Sequence, residues 1–420
     1  MQLSGGTMKE EKDYKKNIIL LIAGRITSKF GVAFYLVVLP LYILKSSGDL
    51  ALSGLFFTLS TIPAIVVTPF LGLVVDRLNR KNIIVVCDLL TSFLYFILLL
   101  TFGLKDIYPV ILLIVTIIVN IISSIFEISS KVLFTELVSA DTLENYNGIK
   151  SFGDNGAALI GPVLGTIIFG LWGFKIVLVI MVCLYFLSAI QEYFIQYTFS
   201  RISHLEKSHW FDDLKGGLHF VWHNKDILNL FILAMSLNFF IGGSDEIMNP
   251  GIIIQKYQIS ETLYGFTSTS LIIGTFIAGL FIFKNKKINL QNYMYHLIFI
   301  NSILMIGIGV FSFLFYPMKQ LYFCTFLILQ FFIGFIVTCV NVPLNSYFQI
   351  HTPLEYQGRF FALLSFSSNL LIPLGILYSG FLSSAAGPDV TYIVNNVIVS
   401  LNILFYFFKR KNTYKSSRLN

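Results

Sequence analysis

The sequence has 420 residues, of which 56% are hydrophobic and only 12% charged, with a mean hydropathy of +0.78. A water-soluble globular chain carries about twice that share of charge. The composition therefore excludes a soluble enzyme and a nucleic-acid-binding domain, and indicates a polytopic membrane protein in the lipid bilayer.

The first basic residues, Lys9 to Lys16, lead into an apolar segment. It is too long for a signal-peptide core and lacks a small-residue cleavage site, so it reads as the first spanning helix. A span needs about 20 mostly apolar residues. Twelve such segments follow, at roughly 17–44, 51–75, 82–104, 109–134, 150–170, 174–199, 226–250, 262–283, 293–315, 321–348, 359–383 and 390–408.

Several spans carry ionisable residues, which cost a few kcal/mol each on insertion scales and are functional candidates for that reason. In span 1, Arg25 and Lys29 are four apart and share a helix face. Both lie within about 8 Å of the helix midpoint at 1.5 Å per residue. Span 2 ends in "GLVVDRLNRK", Gly72 to Lys81, an acid in a basic cluster. Span 4 holds Glu127 and Lys131, again four apart, with Glu127 at about the depth of Arg25. Asp88 in span 3, Asp154 in span 5 and Glu192 in span 6 sit near the same membrane face as the basic loop, and are expected to be its structural partners. Span 5 carries "AALIGPVLGT", Ala157 to Thr166, with a mid-span proline between small residues.

A longer polar connection, 200–225, separates six spans from six. Trp210, Phe211, Leu214, Leu218, Val221 and Trp222 recur there at near-helical spacing, which predicts an amphipathic helix on the membrane surface. In span 7, Asp245 and Glu246 follow the flexible pair Gly242 and Gly243. They are expected either to line the pathway or to occupy the outer interface at a broken helix end. The chain ends in a basic tail, 409–420. The expected domains are thus a six-helix bundle over 1–199, the linker 200–225, a second bundle over 226–408, and the tail.

Lys and Arg set the orientation. With the N-terminus in the cytosol, 21 of the 29 basic residues fall on the inner side, five outside and three within spans. Both termini are therefore expected in the cytosol of a cell-membrane protein, and the net charge of +7 reflects topology, with no nucleic-acid partner implied. The four cysteines all lie in apolar runs, and the six histidines are scattered. No metal-ligand spacing, phosphate loop or nucleophile–base pair is evident, so neither cofactor nor enzymatic activity is expected.

The halves echo each other. "GLFIFKNKKI" after span 8 repeats the position of "GLVVDRLNRK". "LEYQGRFFALLSFSSNLLIPLG" at span 11 repeats "ENYNGIKSFGDNGAALIGPVLG" at span 5, each with an entrance glycine and a later proline and glycine. Parallel repeats of this kind are the layout of secondary transporters with a midplane site.

These residues resemble the major facilitator superfamily across essentially the whole chain. Gly72, Asp76, Arg77, Arg80 and Lys81 match its signature loop Gly-x-x-x-Asp-Arg-x-Gly-Arg-Lys. Asn79 replaces the usual glycine, as a residue that tolerates the left-handed turn conformation. Gly161, Pro162 and Gly165 partly match the helix 5 motif of drug-exporting antiporters, where small residues would permit tight packing against the other half. "LPLYIL", "FDDLKGGLHFVWHNKDI" and span 11 are similar to the drug:proton antiporter branch that contains macrolide-efflux proteins.

The resemblance implies an all-α fold of twelve helices in two six-helix bundles, working as a monomer, and a small-molecule cargo moved by alternating access with a proton as the coupling ion. It implies that Asp76 meets the cytosolic start of helix 11 near Gly358, while Arg77, Arg80 and Lys81 contact headgroups or acids such as Glu136. It places helices 1, 4, 7 and 10 around the cavity. The cavity candidates are then Arg25, Lys29, Tyr35, Asn120, Lys131, Asn238, Asn341 and Asn345. For proton coupling the candidates are Glu127 first, then Glu246 and Asp245. The charged cluster of span 1 and span 4 also fits a structural ion-pair network near the inner interface. Export of amphipathic molecules is the leading expectation; the same fold carrying a peptide, siderophore, lipid or metabolite, including by uptake, is the alternative.

Overall fold

The computed structural model describes residues 4–104, 107–138, 142–197, 215, 218–219, 221–284, 293–352 and 354–416. Among them the regular structure is entirely helical. Helices α1 (Ser4–Ser47), α2 (Leu50–Arg77), α3 (Arg80–Thr101) and α4 (Tyr108–Leu137) are followed by a helical stretch, Leu143–Tyr193. That stretch is more than twice the length of one span. Its backbone leaves the helix at Gly173, with φ 77° and ψ 178°, a conformation open in practice only to glycine. Gly173 therefore divides it into α5 (143–172) and α6 (174–193). The second half comprises α7 (Lys225–Ile241), α8 (Glu261–Lys284), α9 (Met294–Leu314), α10 (Lys319–His351), α11 (Leu354–Ala386) and α12 (Pro388–Ser416). Eleven helical segments are long and apolar enough to cross a membrane, and the one spanning Tyr146–Tyr193 holds two crossings. The chain is thus an all-α membrane protein of twelve helices.

Helices are the expected solution because hydrocarbon offers no partner to backbone N–H and C=O groups, so each span must satisfy its own. Pro40, Pro162, Pro343 and Pro373 lie inside helices. Neighbouring helices in a membrane bundle tolerate such breaks.

Two compact units emerge. One contains residues up to Tyr42 and Leu59–Glu206. Near one end of this unit Ile18, Leu21 and Ile22 of α1 pack with Ile84 and Cys87 of α3 and Phe126 and Leu133 of α4. Near the other, aromatic rings replace aliphatic side chains. Tyr42 stacks on Phe174 at 3.9 Å, Tyr35 meets Tyr95 edge-on at 5.0 Å, and Tyr95 stacks on Tyr185 at 5.7 Å.

The other unit contains Ile43–Thr58 and Lys207–Asn420. The turn between α1 and α2 thus groups with the second-half helices, whereas the charge and repeat pattern places it in a first bundle of 1–199. Leu44 and Leu50 pack with Ile247 and Ile376. Lys45 pairs with Glu261 at 2.6 Å, and Thr58 Oγ1 donates to the Pro373 carbonyl at 2.8 Å. Within this unit glycines allow backbone to touch backbone. A Cβ on Gly274 of α8 would stand 2.0 Å from the Phe331 oxygen of α10, and one on Gly334 of α10 would stand 2.0 Å from the Leu271 oxygen of α8. Dispersion contact between close backbones is the main attraction available in lipid.

Span 7 departs from the expectation of a helix to residue 250. The α-helix ends at Ile241, and the chain continues in π-helical turns over Ser244–Met248 and Gly251–Lys256. Just before the first π turn α7 meets α11 at backbone distance: a Cβ on Gly375 would lie 1.9 Å from the Phe239 oxygen. Lys256 at the end of the π segment forms an ion pair with Asp389 at the start of α12, and also donates to the Ser312 carbonyl and hydroxyl at 3.0 and 2.9 Å. The amphipathic stripe expected over 200–225 lies mostly outside the described residues; of its members, Val221 is buried and Leu218 and Trp222 are exposed. The basic tail expected as a separate segment begins as helix, since α12 runs through Ser416.

Candidate functional site

The i, i+4 spacing of Arg25 and Lys29 turns both cations of α1 toward α4 and α5. Arg25 is the buried hub, its side chain 6% exposed. Its Nη2 donates to Glu127 Oε1 at 2.8 Å and to Asp154 Oδ2 at 3.2 Å. Its Nε donates to the same Asp154 oxygen at 3.3 Å, and Nη1 to Ser130 Oγ at 3.4 Å. Lys29 Nζ takes the other Glu127 oxygen at 2.7 Å. The planar guanidinium fork suits this arrangement, because it holds two carboxylates from two helices at fixed angles.

The network balances two cations against two anions. Balance is what makes a charged cluster tolerable inside a membrane bundle. Its members are not equally buried. Lys29 is 34% exposed and Glu127 43% exposed, against 6% for Arg25. Glu127 is therefore the most exposed member of the network. A proton, or a cationic group of a cargo molecule, competing for this carboxylate would free Lys29 and leave Arg25 held by Asp154. Such a switch needs no movement of the buried hub.

The structure places the other sequence-derived candidates as follows. Lys131 is exposed and makes no ion pair with this network among the described residues. Tyr35, expected on the cavity surface, is a buried ring of the aromatic cluster. Its neighbours Tyr95 and Phe174 hold it in the interior of the first unit. Asn120 is half-buried on α4 and donates to the Ser60 carbonyl of α2 at 2.8 Å. Asn238 of α7 donates to Ser368 Oγ of α11 at 3.0 Å. Asn341 and Asn345 are exposed on α10. Glu246 is half-buried in the first π turn, and the side chain of Asp245 lies outside the described residues.

Gly161 and Gly165 face α1 of their own unit. A Cβ at Gly161 would stand 2.8 Å from Ala33 Cβ, and one at Gly165 2.8 Å from the Phe34 oxygen. This corrects the expectation that the motif packs against the other half. Its small residues let α5 approach α1, with Pro162 between them inside the helix. That approach brings Asp154, two turns earlier on α5, within reach of Arg25.

In the signature loop, the side chains of Gly72, Asp76 and Arg77 lie outside the described residues, as does that of Gly358. Arg80 is buried and pairs with Glu136 at 3.4 Å. Tyr197 donates to the other Glu136 oxygen at 2.5 Å, and burial together with that bond holds its phenol above its usual range. Lys81 sits over the Tyr193 ring at 5.4 Å. Asn79 is not in the left-handed region: with φ −67° and ψ 111° it is extended, and its Oδ1 accepts from the Asn82 N–H at 3.3 Å. It is the N-cap of α3.

Three acids assigned to this loop by depth have other surroundings. Asp154 belongs to the Arg25 network. Asp88 is bonded to Ser28 of α1, and Glu192 lies against Gly24. Sequence reasoning gives each residue a depth but not a helix neighbour, so it could not assign Asp154 or Ser130 to Arg25. Among the described residues no group of three or more His, Cys, Asp or Glu side chains is arranged to hold a metal ion.

A family model described as Major Facilitator Superfamily matches residues 21–371. Macrolide efflux protein A of Streptococcus pyogenes is 21% identical over 400 residues, spanning 93% of this chain and 95% of the relative. Among solved structures, a bacterial homologue of the iron transporter ferroportin in an inward-facing state has a TM-score of 0.72 at 15% identity, covering 93% of this chain and 98% of that one. The nucleoside transporter NupG has a TM-score of 0.71 at 14% identity, covering 93% and 99%. At these identities the structural likeness concerns the fold.

Proposed function

The chain belongs to the Major Facilitator Superfamily and is a membrane transporter; we propose that it exports amphipathic small molecules, macrolide-like in class, in exchange for protons. The observation that carries this reading is the ion network in which Glu127 is shared between Arg25 and Lys29 while itself being 43% exposed. A carboxylate reachable by solvent and held by two cations can take up a proton only by releasing them, which couples protonation to helix contacts. The near full-length relationship to a macrolide efflux protein supports export as the direction.

The mechanism is alternating access. In the cation-bound state Glu127 ties α1 to α4. Proton uptake at Glu127 releases Lys29 and weakens the tie to Arg25, which stays with Asp154. A cationic cargo competes for the same carboxylate, so proton and cargo exclude each other, the requirement of an antiporter. Asp76 of the signature loop acts as a gating residue at the inner side, and the protein works as a monomer in the cell membrane with both termini in the cytosol. Neither a nucleotide nor a prosthetic group enters this cycle.

The test is accumulation of a panel of dyes and antibiotics in cells with and without the protein, repeated with a protonophore. Expression should lower accumulation of at least one amphipathic compound, and the protonophore should erase the difference. Raised accumulation on expression would make the protein an importer and defeat the proposal.

A further inference from the structure

Apart from the Arg25 network, the first unit buries a second pair of acids. Asp88 of α3 is 2% exposed and Glu192 of α6 is 0% exposed. They lie close enough for each to feel the other's charge. Among the described residues neither makes an ion pair with a Lys, Arg or His. Among the described residues neither oxygen of Glu192 has a hydrogen-bond partner. The Glu192 side chain lies over Gly24 of α1, where a Cβ would stand 2.7 Å from its Cγ and 3.1 Å from Oε1. Glycine at position 24 is what makes room for it.

The hydrogen bonds around Asp88 lack a proton. Ser28 Oγ lies 2.7 Å from Asp88 Oδ2 and 2.8 Å from Ser188 Oγ, and Ser188 Oγ lies 2.9 Å from the Gly24 carbonyl oxygen. Ser188 also reaches the Asp88 carboxyl. The contacts of hydrogen-bond length thus outnumber the two protons that the two serine hydroxyls supply. A third proton on the Asp88 carboxyl closes the chain. Asp88 then donates to Ser28, Ser28 to Ser188, and Ser188 to the Gly24 carbonyl. Without it, one contact sets two lone pairs against each other. Glu192 leads to the same conclusion independently, since an unpartnered ionised carboxylate in a buried site is expensive, whereas a neutral acid is far less so.

We propose that Asp88 and Glu192 form a proton-binding site, buried between α1, α3 and α6, that is separate from Glu127. The ligand is one proton on each carboxyl. The titratable groups facing the pair are the Cys87 thiol of α3 and the Tyr185 phenol of α6. From α1 the described residues bring Ser28 and the Gly24 carbonyl, since Arg25 turns toward Glu127 and Asp154. The Asp88 proton completes the bonds that tie α1 to both α3 and α6. Its loss leaves an anion buried at that crossing with one of those bonds unmade, and loosens it. The site stands whether or not Glu127 couples transport.

Infrared difference spectroscopy of the purified full chain tests this directly. At neutral pH the wild type should show a carboxylic-acid carbonyl band that shifts in deuterated buffer. The band should vanish in the double variant Asp88→Asn, Glu192→Gln, and persist in Glu127→Gln. Asn and Gln keep the size of the neutral acids, so folding should survive. If the double variant does not fold, Ser28→Ala serves instead: it removes the acceptor of the Asp88 proton and should shift the band without abolishing it. A wild type without the band, a double variant that retains it in full, or a band unmoved by Ser28→Ala would overturn the proposal.

Discussion

Replacing Glu127 by glutamine separates charge from shape at the site. Glutamine keeps one oxygen but turns an amide N–H2 toward Arg25 Nη2 or Lys29 Nζ, which stand 2.8 and 2.7 Å from the present carboxylate oxygens. One close contact thereby becomes donor against donor. Breaking a fully buried ion pair costs about 3–5 kcal/mol, and an exposed one about 0.2–1 kcal/mol. With Arg25 6% and Glu127 43% exposed, the loss should fall between these, about 1–3 kcal/mol. Arg25 retains Asp154 and Ser130, so the variant should fold and show a lowered melting midpoint in detergent. Its amide cannot exchange a proton. Uphill export driven by a proton gradient should fall to background, while cargo binding and downhill exchange persist. Lys29→Gln is the control, because it removes the more exposed ion pair and leaves the acid able to titrate; it should retain uphill export. Wild-type uphill export and pH dependence in Glu127→Gln would refute the coupling role, and Asp245 with Glu246 would be the next acids to test.

Topology is checked with single cysteines in a background lacking Cys87, Cys183, Cys324 and Cys339: one near Lys284 should label only from the cytosolic side, one near Lys319 only from outside, and reversed labelling would refute the orientation. Gly274→Ala and Gly334→Ala should each lower the melting midpoint, because a contact of 2.0 Å must open by 1.4 Å to reach the ordinary 3.4 Å; overpacking of this kind costs about 1–3 kcal/mol. Gly279→Ala, with nothing within 4 Å of the added methyl, is the matched control and should not destabilise, so equal midpoints in all three would contradict the backbone contact. Asp49 accepts from Ser384 Oγ and from the Ala51 N–H, and these bonds hold its carboxyl below the usual range. A lowered folded-state value gives stability that is present above the unfolded value and lost as pH falls through the folded one. Asp49→Asn should therefore flatten only the acid limb of the stability profile, and an unchanged acid limb would count against the bond.

The elements were largely legible because spans are set by hydrocarbon thickness and by backbone satisfaction, both readable from apolar run length. The break at Gly173 falls between the two spans read from the sequence, since only a turn could divide so long an apolar stretch. The grouping of Arg25, Lys29 and Glu127 was legible to the extent that helical register and depth placed them on facing surfaces. What depth cannot give is the neighbouring helix. Asp154, Asp88 and Glu192 lie at similar depths, yet one joins Arg25 and the other two meet no cation among the described residues. The direction of the Gly161 and Gly165 face failed for the same reason: small residues announce a close contact without naming the partner.

Asn79 shows how a motif's letters can mislead about its mechanism. Asparagine in a glycine position suggests a left-handed turn, because both residues enter that region. The observed φ of −67° lies elsewhere, and the side chain caps α3 through the Asn82 N–H. The two readings predict opposite ranks for glycine against asparagine. If the position required the left-handed region, Asn79→Gly would stabilise the protein and Asn79→Ala would be strained. If Asn79 is a cap, Asn79→Ala costs about 0.5–2 kcal/mol and Asn79→Gly only a few tenths, while Asn79→Asp keeps an acceptor at the same place. Melting midpoints should therefore fall in the order Asn and Asp, then Gly, then Ala. Glycine above asparagine would restore the left-handed reading and remove the cap.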